Sequence, residues 1–345
     1  MSRKLYICST VYQLVVAVHI KMTIHSKSDA DIILTDEMPN VSTIAAKLNS
    51  KKIFMSIVVV HGKESALSKG KLAYIPFAYR HRLKDLSELF GGEDPYSTQY
   101  DEILFANIGG LNYRIASSIA DYNRQAEVSM FEEGVSSYSK LYGQVFNEQK
   151  NIKNRICYKT LYKTSRFYFF DVRLPVWKWK MKFICIPPIE LNKNKICRVL
   201  NDIFGYEKLK DRYSEKVIFF EESYVTDGIK VDDVELVEEL ARTYGKENIL
   251  VKTHPRDTVN RFAHLGYKTN RDKSIPWEVV ALNMDLKDKI LVSMTSTAVV
   301  NSMILLHSPC KILLDYENMP QSNERVKSTI EVIENIKNVY PDAIS

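Results

Sequence analysis

Residues 216–256, KVIFFEESYVTDGIKVDDVELVEELARTYGKENILVKTHPR, contain a complete strand–helix–strand unit. Two apolar runs, at 216–220 and 248–252, have the length of buried strands. Between them, residues 233–244 place apolar side chains three or four positions apart, which is the period of an amphipathic helix. Because a helix that joins two strands brings them side by side in parallel, this stretch predicts an α/β domain with a parallel sheet.

The start of the predicted helix also carries a capping signal. Asp232 precedes the helix, and Glu235 follows three positions later. This spacing is that of a capping box, in which the two side chains satisfy free backbone N–H groups of the first turn. The sequence therefore predicts that Asp232 caps the helix.

The same alternation of strands and helices extends through the chain. Before the unit, β-rich runs at residues 5–8, 31–34, 54–60, 102–105 and 127–131 alternate with helical patterns at 13–25, 42–48 and 114–123. After it come strands at 289–292 and 311–314, and a helix at 323–336 that we expect to cross the domain junction. The two series predict two Rossmann-like domains, 1–185 and 216–345, joined by a linker region at 186–215, with parallel sheets facing a central cleft.

The composition is that of a globular protein of two domains. The chain has 345 residues, of which 45% are hydrophobic and 26% charged. Its five cysteines are scattered and lack metal-ligand spacing, so we expect a reducing, cytoplasmic environment. Polar side chains interrupt the apolar stretch at 5–20, and we therefore expect neither a signal peptide nor a membrane span.

A basic aromatic segment occupies residues 151–183. It carries nine Lys or Arg and a single acid, Asp171, hence a charge of +8 in a chain of net charge +6. Its aromatic side chains can be buried beside solvated Lys and Arg, which is the plainest interpretation. Alternatively, the segment can rest on an anionic membrane surface or grip nucleic acid. We expect peripheral contact with the inner face of the membrane as the second possibility, and no nucleic acid.

Polar motifs that follow predicted strands are the candidates for chemistry, because parallel sheets bind ligands at the carboxyl ends of their strands. The first such motif is FEEG at 131–134. Glu132 or Glu133 can act as a general base or orient a hydroxyl group, and Gly134 allows a tight turn. Taken alone, the motif is better explained as a solvated acidic turn.

The second motif is THPR at 253–256. His254 can protonate or hydrogen-bond a departing phosphate, and Arg256 adds a fixed positive charge beside it. Pro255 stiffens the chain where the imidazole must be aimed. Taken alone, His254 can equally be structural.

The third motif is SMTST at 293–297, where a strand gives way to a helical pattern. Backbone N–H groups and small hydroxyl side chains at a helix N-terminus bind anions. Thr295, Ser296 and Thr297 are therefore candidate phosphate ligands, although such residues also cap helices without any ligand.

Several common signatures are missing from the sequence. No Walker loop, Gly-x-Gly-x-x-Gly, Gly-x-Ser-x-Gly or His-Glu-x-x-His motif occurs, which argues against an NTPase, a dinucleotide oxidoreductase, a serine hydrolase and a zincin. The Asp-x-Asp at 29–31 leads into a predicted strand, so it lies at the wrong end of the sheet to hold a metal-bound donor. We interpret it as a polar turn.

Together and in this order, the three motifs resemble the acidic-acidic-Gly, His-Pro and Ser/Thr motifs of bacterial sialyltransferases, in particular glycosyltransferase family 52, the lipooligosaccharide sialyltransferase family. LYICSTVYQL at 5–14 and SIPWE at 274–278 add to this resemblance. The similarity consists of short islands spread through most of the chain. It implies a GT-B fold, a CMP-sialic acid donor, inversion at the anomeric carbon and no metal.

The resemblance also implies roles for individual residues. His254 assists departure of the cytidine phosphate, and Arg256, Thr295 and Ser296 hold its charge. Pro255, Thr297 and Gly134 belong to the same motifs at the donor site. Glu278 suits hydrogen bonds to the ribose, while Thr10 and Gln13 face the cleft from the N-terminal domain.

The general base is left open between two pairs of acids. In family 52 the base follows the first strand of the second domain, which selects Glu222 or Glu221, although the family pattern has Asp there. In related sialyltransferase families it belongs to the acidic-acidic-Gly motif, which selects Glu133 or Glu132. Asp232 is a weaker candidate because helix capping explains its position.

We therefore expect an inverting, metal-independent sialyltransferase that needs no cofactor beyond its donor, CMP-sialic acid. We expect its acceptor to be a terminal sugar of a bacterial surface glycan such as capsule or lipooligosaccharide, and we expect that sugar to be galactose. The alternatives are another nucleotide-sugar donor on the same fold, or a non-catalytic glycan-binding protein. The N-terminal domain then holds the acceptor and the C-terminal domain the nucleotide sugar. A homodimer is left open.

Overall fold

The computed structural model describes residues 2–61, 97–108, 110–147, 158–189, 193–207, 212–226, 228–254, 256–306, 311–316, 319 and 323–341. Within these residues the chain forms two sheets in which all paired strands are parallel. This confirms the predicted α/β class with two parallel-sheet domains. The carboxyl ends of the strands therefore lie along one edge of each sheet.

The first sheet has seven strands in the order β3-β2-β1-β4-β5-β6-β7. The strands are β1 (Arg3–Cys8), β2 (Asp29–Thr35), β3 (Ser56–Val60), β4 (Glu102–Phe105), β5 (Glu127–Phe131), β6 (Thr164–Phe169) and β7 (Lys182–Cys185). The helices of this half are α1 (Val11–Met22), α2 (Val41–Ser50), α3 (Gly110–Tyr122), α4 (Lys140–Asn147) and α5 (Lys193–Phe204). A short 3-10 helix, Val135–Tyr138, follows β5.

The second sheet has five strands in the order β10-β9-β8-β11-β12. They are β8 (Val217–Phe220), β9 (Ile249–Lys252), β10 (Lys268–Asn270), β11 (Ile290–Ser293) and β12 (Lys311–Leu314). The helices are α6 (Asp233–Tyr244), α7 (Arg261–His264), α8 (Trp277–Asn283), α9 (Thr297–Leu306) and α10 (Glu324–Val339).

The side chains of strand β8 lie alternately in two hydrophobic cores, one on each face of the second sheet. Ile218 and Phe220 belong to a hydrophobic core that is continuous with that of the first domain, whereas Val217 and Phe219 face a separate core with α6 and α7. Successive side chains of a strand point to opposite faces, so a fully apolar strand is expected where both faces are covered. The shared core joins the two domains through apolar packing.

Two segments connect the domains. The region 186–215, predicted as a linker, contains α5, which packs against α1 and α2 of the first domain and α8 of the second. Helix α10 crosses to the first domain, as predicted. There Asn335 donates to the Leu174 carbonyl (2.8 Å) and the Tyr340 hydroxyl donates to Asp171 (2.5 Å).

Two local predictions were wrong. Asp232 stands at the N-cap of α6, but its side chain makes no capping hydrogen bond, so the capping box does not form. Asp29 and Asp31 do not form a polar turn, because they are the first and third residues of β2. Asp31 is instead buried and paired with Arg3 (2.7 Å), at the sheet edge opposite to the carboxyl ends.

The basic aromatic segment is described from residue 158 onwards. Phe167, Phe169 and Trp177 are buried, and β6 and β7 run through the segment. The Phe167 and Phe169 rings stack, and Trp177 meets both of them edge-on. Lys178, Lys180 and other basic side chains are exposed. The plainest interpretation therefore holds for this part, while membrane contact stays a prediction. Among the described helices, none is both long and apolar enough to cross a bilayer.

Candidate active site

A cleft of about 440 Å³ lies between the carboxyl ends of the two sheets. The first domain lines it with Asn107, Ile108, Glu133, Val135, Ser136, Ser139, Leu141, Tyr142 and Val145, and the second with Glu222, Ser223, Tyr224, His254, Arg256, Thr295, Ser296, Ser328 and Thr329. Six of the predicted site residues therefore meet in one cleft: Glu133, Glu222, His254, Arg256, Thr295 and Ser296.

Glu133 is half-buried on the first-domain side of the cleft, just after β5. Its Oε2 accepts a hydrogen bond from Gln13 Nε2 (3.2 Å), and its backbone N–H donates to Ser137 Oγ (2.8 Å). Burial raises the pKa of the Glu133 carboxyl to about 7, and the Gln13 bond opposes this shift. A carboxyl that titrates near neutral pH and faces a cleft suits proton abstraction.

Glu132, the neighbouring acid, points the other way into the core and does not line the cleft. Its carboxylate accepts hydrogen bonds from the Tyr12 hydroxyl (2.7 Å), the Phe170 backbone N–H (2.9 Å) and the Tyr138 hydroxyl. Burial raises its pKa to about 7 as well. Since all three contacts are internal, Glu132 holds the loop that carries Glu133.

Glu222 lines the cleft from the second domain, just after β8. Its Oε1 accepts hydrogen bonds from the backbone N–H (2.7 Å) and the hydroxyl (3.1 Å) of Thr295. Burial raises the pKa of Glu222 to about 7. Glu222 thus ties the end of β8 to the turn that precedes α9.

Glu221 is buried and does not line the cleft. Its carboxylate pairs with Arg261 (2.8 Å), which also pairs with Asp233 (2.6 Å). Burial raises the pKa of Glu221, and Arg261 opposes that shift. Of each pair of candidate bases, the structure therefore brings only the second residue to the cleft.

His254 and Arg256 follow β9 and reach the cleft together. The backbone N–H of Arg256 donates to His254 Nδ1 (3.2 Å), and the Arg256 guanidinium donates to Ser223 Oγ. Because a neutral imidazole accepts at one nitrogen and donates at the other, this contact leaves the proton on Nε2. Pro255 lies outside the described residues.

Several donors of the turn before α9 have partners within the protein. Thr295 contacts Glu222, and its hydroxyl also bonds to that of Tyr224. The Ser296 N–H donates to Ser293 Oγ (3.2 Å). Thr297 begins α9, and the structure describes its backbone alone.

Three donor-site candidates from the first domain are not among the residues that line the cleft. Thr10 caps α1 by accepting from the Gln13 N–H (3.2 Å). Gln13 is buried and reaches the cleft only through Glu133. Gly134 has a φ of +105°, and a Cβ added there would lie 3.0 Å from Asn301 Nδ2 of α9. The structure therefore gives these residues supporting positions.

Glu278 is buried at the start of α8 and is not among the residues that line the cleft. Burial raises its pKa, opposed by Lys252 and by a hydrogen bond with Asn301. Its predicted contact with a ribose stays a prediction, because the described side chain faces the domain junction.

The cleft also contains residues that the sequence did not suggest. Tyr224 stands two positions after Glu222, so it had a signal in the sequence as a polar residue near a strand end. Tyr142, whose hydroxyl donates to the Ala106 carbonyl (2.5 Å), lies on α4, and Ser328 and Thr329 lie on α10. No strand-end pattern marks a residue within a helix, so these three had no signal in the sequence. Among the described residues, no group of three His, Cys, Asp or Glu side chains is placed to hold a metal ion.

Sequence comparison assigns the chain to a family. The family model described as alpha-2,8-polysialyltransferase (POLYST) matches residues 4–315. The chain belongs to this family. It is therefore a member of a sialyltransferase family, while the narrower resemblance to family 52 stays a prediction. No curated protein matches the chain in sequence.

Solved structures support the fold of this alpha-2,8-polysialyltransferase family member. An alpha/beta-galactoside alpha-2,3-sialyltransferase from Photobacterium phosphoreum aligns with a TM-score of 0.55 and 11% identity, over 100% of this chain and 98% of its own. UDP-GlcNAc 2-epimerase from Neisseria meningitidis, bound to UDP-GlcNAc, aligns with a TM-score of 0.52 and 14% identity, over 99% and 92%. At such identities the likeness concerns the fold, and it confirms the predicted GT-B architecture.

Proposed function

We propose that this protein is an inverting, metal-independent sialyltransferase that uses CMP-sialic acid as its donor. The observation that carries the proposal is that Glu133 of the first domain and His254 of the second line the same cleft. A sugar transfer needs a base for the incoming hydroxyl and an acid for the departing phosphate. The two domains of a GT-B fold supply one group each.

Glu133 is the general base in this proposal. Its carboxylate takes the proton of the acceptor hydroxyl while the hydroxyl oxygen attacks the anomeric carbon of sialic acid. Glu222 fits this role less well, because its Oε1 already accepts two bonds from Thr295 and its Oε2 is buried. A base must reach the proton that it removes. The Glu133 carboxylate accepts one hydrogen bond from Gln13 and that of Glu222 accepts two from Thr295, so Glu133 is the better placed of the two to accept the proton.

His254 and Arg256 act on the leaving group. The bond from the anomeric carbon to the phosphate oxygen breaks, and CMP departs with the bonding electrons. Nε2–H of His254 donates to the phosphate, and the guanidinium of Arg256 balances its charge. The attack and the departure occur on opposite faces of the sugar, so the product is inverted at that carbon.

The acceptor is a terminal sugar of a bacterial surface glycan. The family description points to a sialic acid acceptor and an α-2,8 linkage, and galactose is the alternative drawn from the motifs. An acceptor panel of lactose and a sialylated lactose, analysed by mass spectrometry and linkage analysis, separates the two.

Release of CMP from CMP-sialic acid in the presence of EDTA tests the donor and the chemistry. We expect turnover by the wild-type protein, loss of turnover in His254→Ala, and full activity in the matched control His264→Ala, which changes an exposed histidine elsewhere in the same domain. UDP-GlcNAc serves as the competing donor. If the protein turned over UDP-GlcNAc and not CMP-sialic acid, its donor would be a different nucleotide sugar. If neither donor were turned over and His254→Ala bound its ligand as tightly as the wild type, the glycan-binding alternative would be favoured.

A further inference from the structure

Glu222 occupies the position in which an anionic ligand is expected. Its Oε1 lies 2.7 Å from the backbone nitrogen of Thr295 and 3.1 Å from the Thr295 hydroxyl. Thr295 stands two residues before α9, at the end of the helix that attracts negative charge. The carboxylate therefore sits where the phosphate of a nucleotide sugar would be held.

Three further donors around this turn also have partners within the protein. The Ser296 N–H donates to Ser293 Oγ (3.2 Å), the Ala298 N–H donates to Ser296 Oγ (3.3 Å), and Ser293 Oγ donates to the Phe220 carbonyl (3.0 Å). Side chains of the protein thus hold the turn, and Glu222 is the acidic residue among them. An incoming phosphate that contacts Thr295 has to share the site with this carboxylate.

Two charges so close in a site with little water repel each other strongly. The second oxygen of Glu222, Oε2, is buried and has no hydrogen-bond partner among the described residues, and a buried charge without a partner is costly. Burial already raises the pKa of Glu222 to about 7, against the hydrogen bonds from Thr295. A proton is therefore easily gained at this carboxyl near neutral pH.

We propose that Glu222 is an internal stand-in for the donor's phosphate, and that it takes up one proton when the donor binds. The inference rests on the proposed function, because it takes the phosphate of CMP-sialic acid as the anion. Once protonated, the Glu222 O–H donates to Thr295 Oγ1, which frees the Thr295 hydroxyl hydrogen to point at the phosphate. The proton comes from solvent, so one proton is bound for each donor molecule bound above the pKa. Glu222 is a positioning residue in this scheme.

Other titratable groups face Glu222 from the surrounding elements. Asp233 at the start of α6 raises its pKa, and Tyr224 shares its partner Thr295. His254 and Arg256 line the cleft beside it, and Glu133 lines the opposite wall. Burial raises the pKa of Glu133 to about 7 as well, so Glu133 needs its own variant in the test, and His254 is given one because it lines the cleft beside Glu222.

The test measures the affinity of the 3-fluoro analogue of CMP-sialic acid from pH 6 to pH 9. This analogue is not turned over, and its phosphodiester keeps a constant charge over the range. For the wild-type protein we expect the dissociation constant to rise roughly tenfold between pH 7 and pH 8.5, because each bound molecule then needs a proton. Glu222→Gln should bind more tightly above pH 7 and lose this dependence, whereas His254→Asn and Glu133→Gln should keep it.

Calorimetry of the wild-type protein gives a second measurement that needs no variant. Binding at pH 8 in two buffers with different ionisation enthalpies should show uptake of about one proton per analogue bound. Two results would overturn this inference and leave the donor proposal intact. One is a dissociation constant that depends on pH equally in Glu222→Gln and in the wild type, and the other is a proton uptake of zero in the wild type. Failure of the wild-type protein to bind the analogue at any pH would overturn the proposed function and the inference with it.

Discussion

Gln13 Nε2 lies 3.2 Å from Glu133 Oε2, so a side chain of the first helix orients the acid that follows β5. Gln13 is itself fixed, because its Oε1 accepts from the Ser9 N–H (2.7 Å) and from Asn112 Nδ2 (2.9 Å). This arrangement gives a physical reason for a buried glutamine in the first turn of α1. Gln13 thus holds the proposed base, and it is not among the residues that line the cleft.

Replacing Gln13 by Met should move the acidic limb of the kcat/KM profile to higher pH. The hydrogen bond from Gln13 favours the ionised form of Glu133, so its loss raises the Glu133 pKa further above 4.5. The rate at neutral pH should fall severalfold and recover as the pH rises. Thr10→Ala is the control, since it removes only the helix cap; an unshifted limb in Gln13→Met would refute this role of Gln13.

Glu133→Gln should lower kcat by about 10²–10⁴-fold, which is the usual contribution of a general base. Glu132→Gln changes a neighbouring acid that does not line the cleft, so its main effect should be on stability. Transfer rates and chemical denaturation of both variants separate the two roles. A larger loss of kcat in Glu222→Gln than in Glu133→Gln would transfer the role of base to Glu222.

Glu133→Gln should also gain stability relative to the wild type as the pH rises from acidic to neutral. The folded-state pKa of Glu133 is raised from 4.5 to about 7, so the folded chain binds more protons than the unfolded chain between these values. Wild-type stability from this group is therefore present below pH 4.5 and falls as the pH rises to 7. Glutamine does not titrate, and the difference between variant and wild type should grow by up to roughly 3 kcal/mol from pH 4.5 to pH 8.

Urea denaturation at the two pH values measures this difference. Glu221→Gln is a useful comparison, because its carboxyl is paired with Arg261 and lies outside the cleft. A difference between Glu133→Gln and wild type that stays constant with pH would mean that Glu133 titrates normally.

The sequence predicted the class, the two parallel sheets and the central strands, because these depend on buried apolar runs of regular spacing. It missed β10, whose residues Lys268–Asn270 are polar, and β6 and β7, which lie within the basic aromatic segment. These strands are edge or near-edge strands, and their pairing depends on neighbours that are distant in sequence.

The site was predicted less completely for a related reason. Strand ends predicted that Glu133, Glu222, His254 and Thr295 lie at one edge of the sheets, and all four line the same cleft. Period and spacing do not show which of two adjacent acids faces the cleft. Glu132 and Glu221 are turned inward by their partners, the tyrosine hydroxyls in one case and Arg261 in the other. Such long-range pairs appear only when the chain is folded.

Arg261 should be important for stability rather than for catalysis. It pairs with Glu221 and Asp233, which are 3% and 4% exposed, so Arg261→Met leaves two buried carboxylates without their cation. Loss of one partner of a buried ion pair costs about 3–5 kcal/mol. Arg242→Met is the control, since Arg242 forms an exposed pair with Glu235 and should change stability little. Denaturation midpoints that fall equally in both variants would contradict this assignment.

Gly134 joins the two halves of the site at one point of close contact. Its φ of +105° is strained for any L side chain, and an added Cβ would meet Asn301 Nδ2 of α9 at 3.0 Å. Gly134→Ala should therefore cost about 1–3 kcal/mol of stability and also displace the acidic loop from α9, with a large loss of transfer activity.

Gly228 is the matched control, because its φ is +74° and nothing lies within 4 Å of its added Cβ. Gly228→Ala shares the backbone strain without the contact between domains, so it should lose stability and keep most of its activity. Equal activity in the two variants would show that the contact between Gly134 and Asn301 does not align the acid with the second domain.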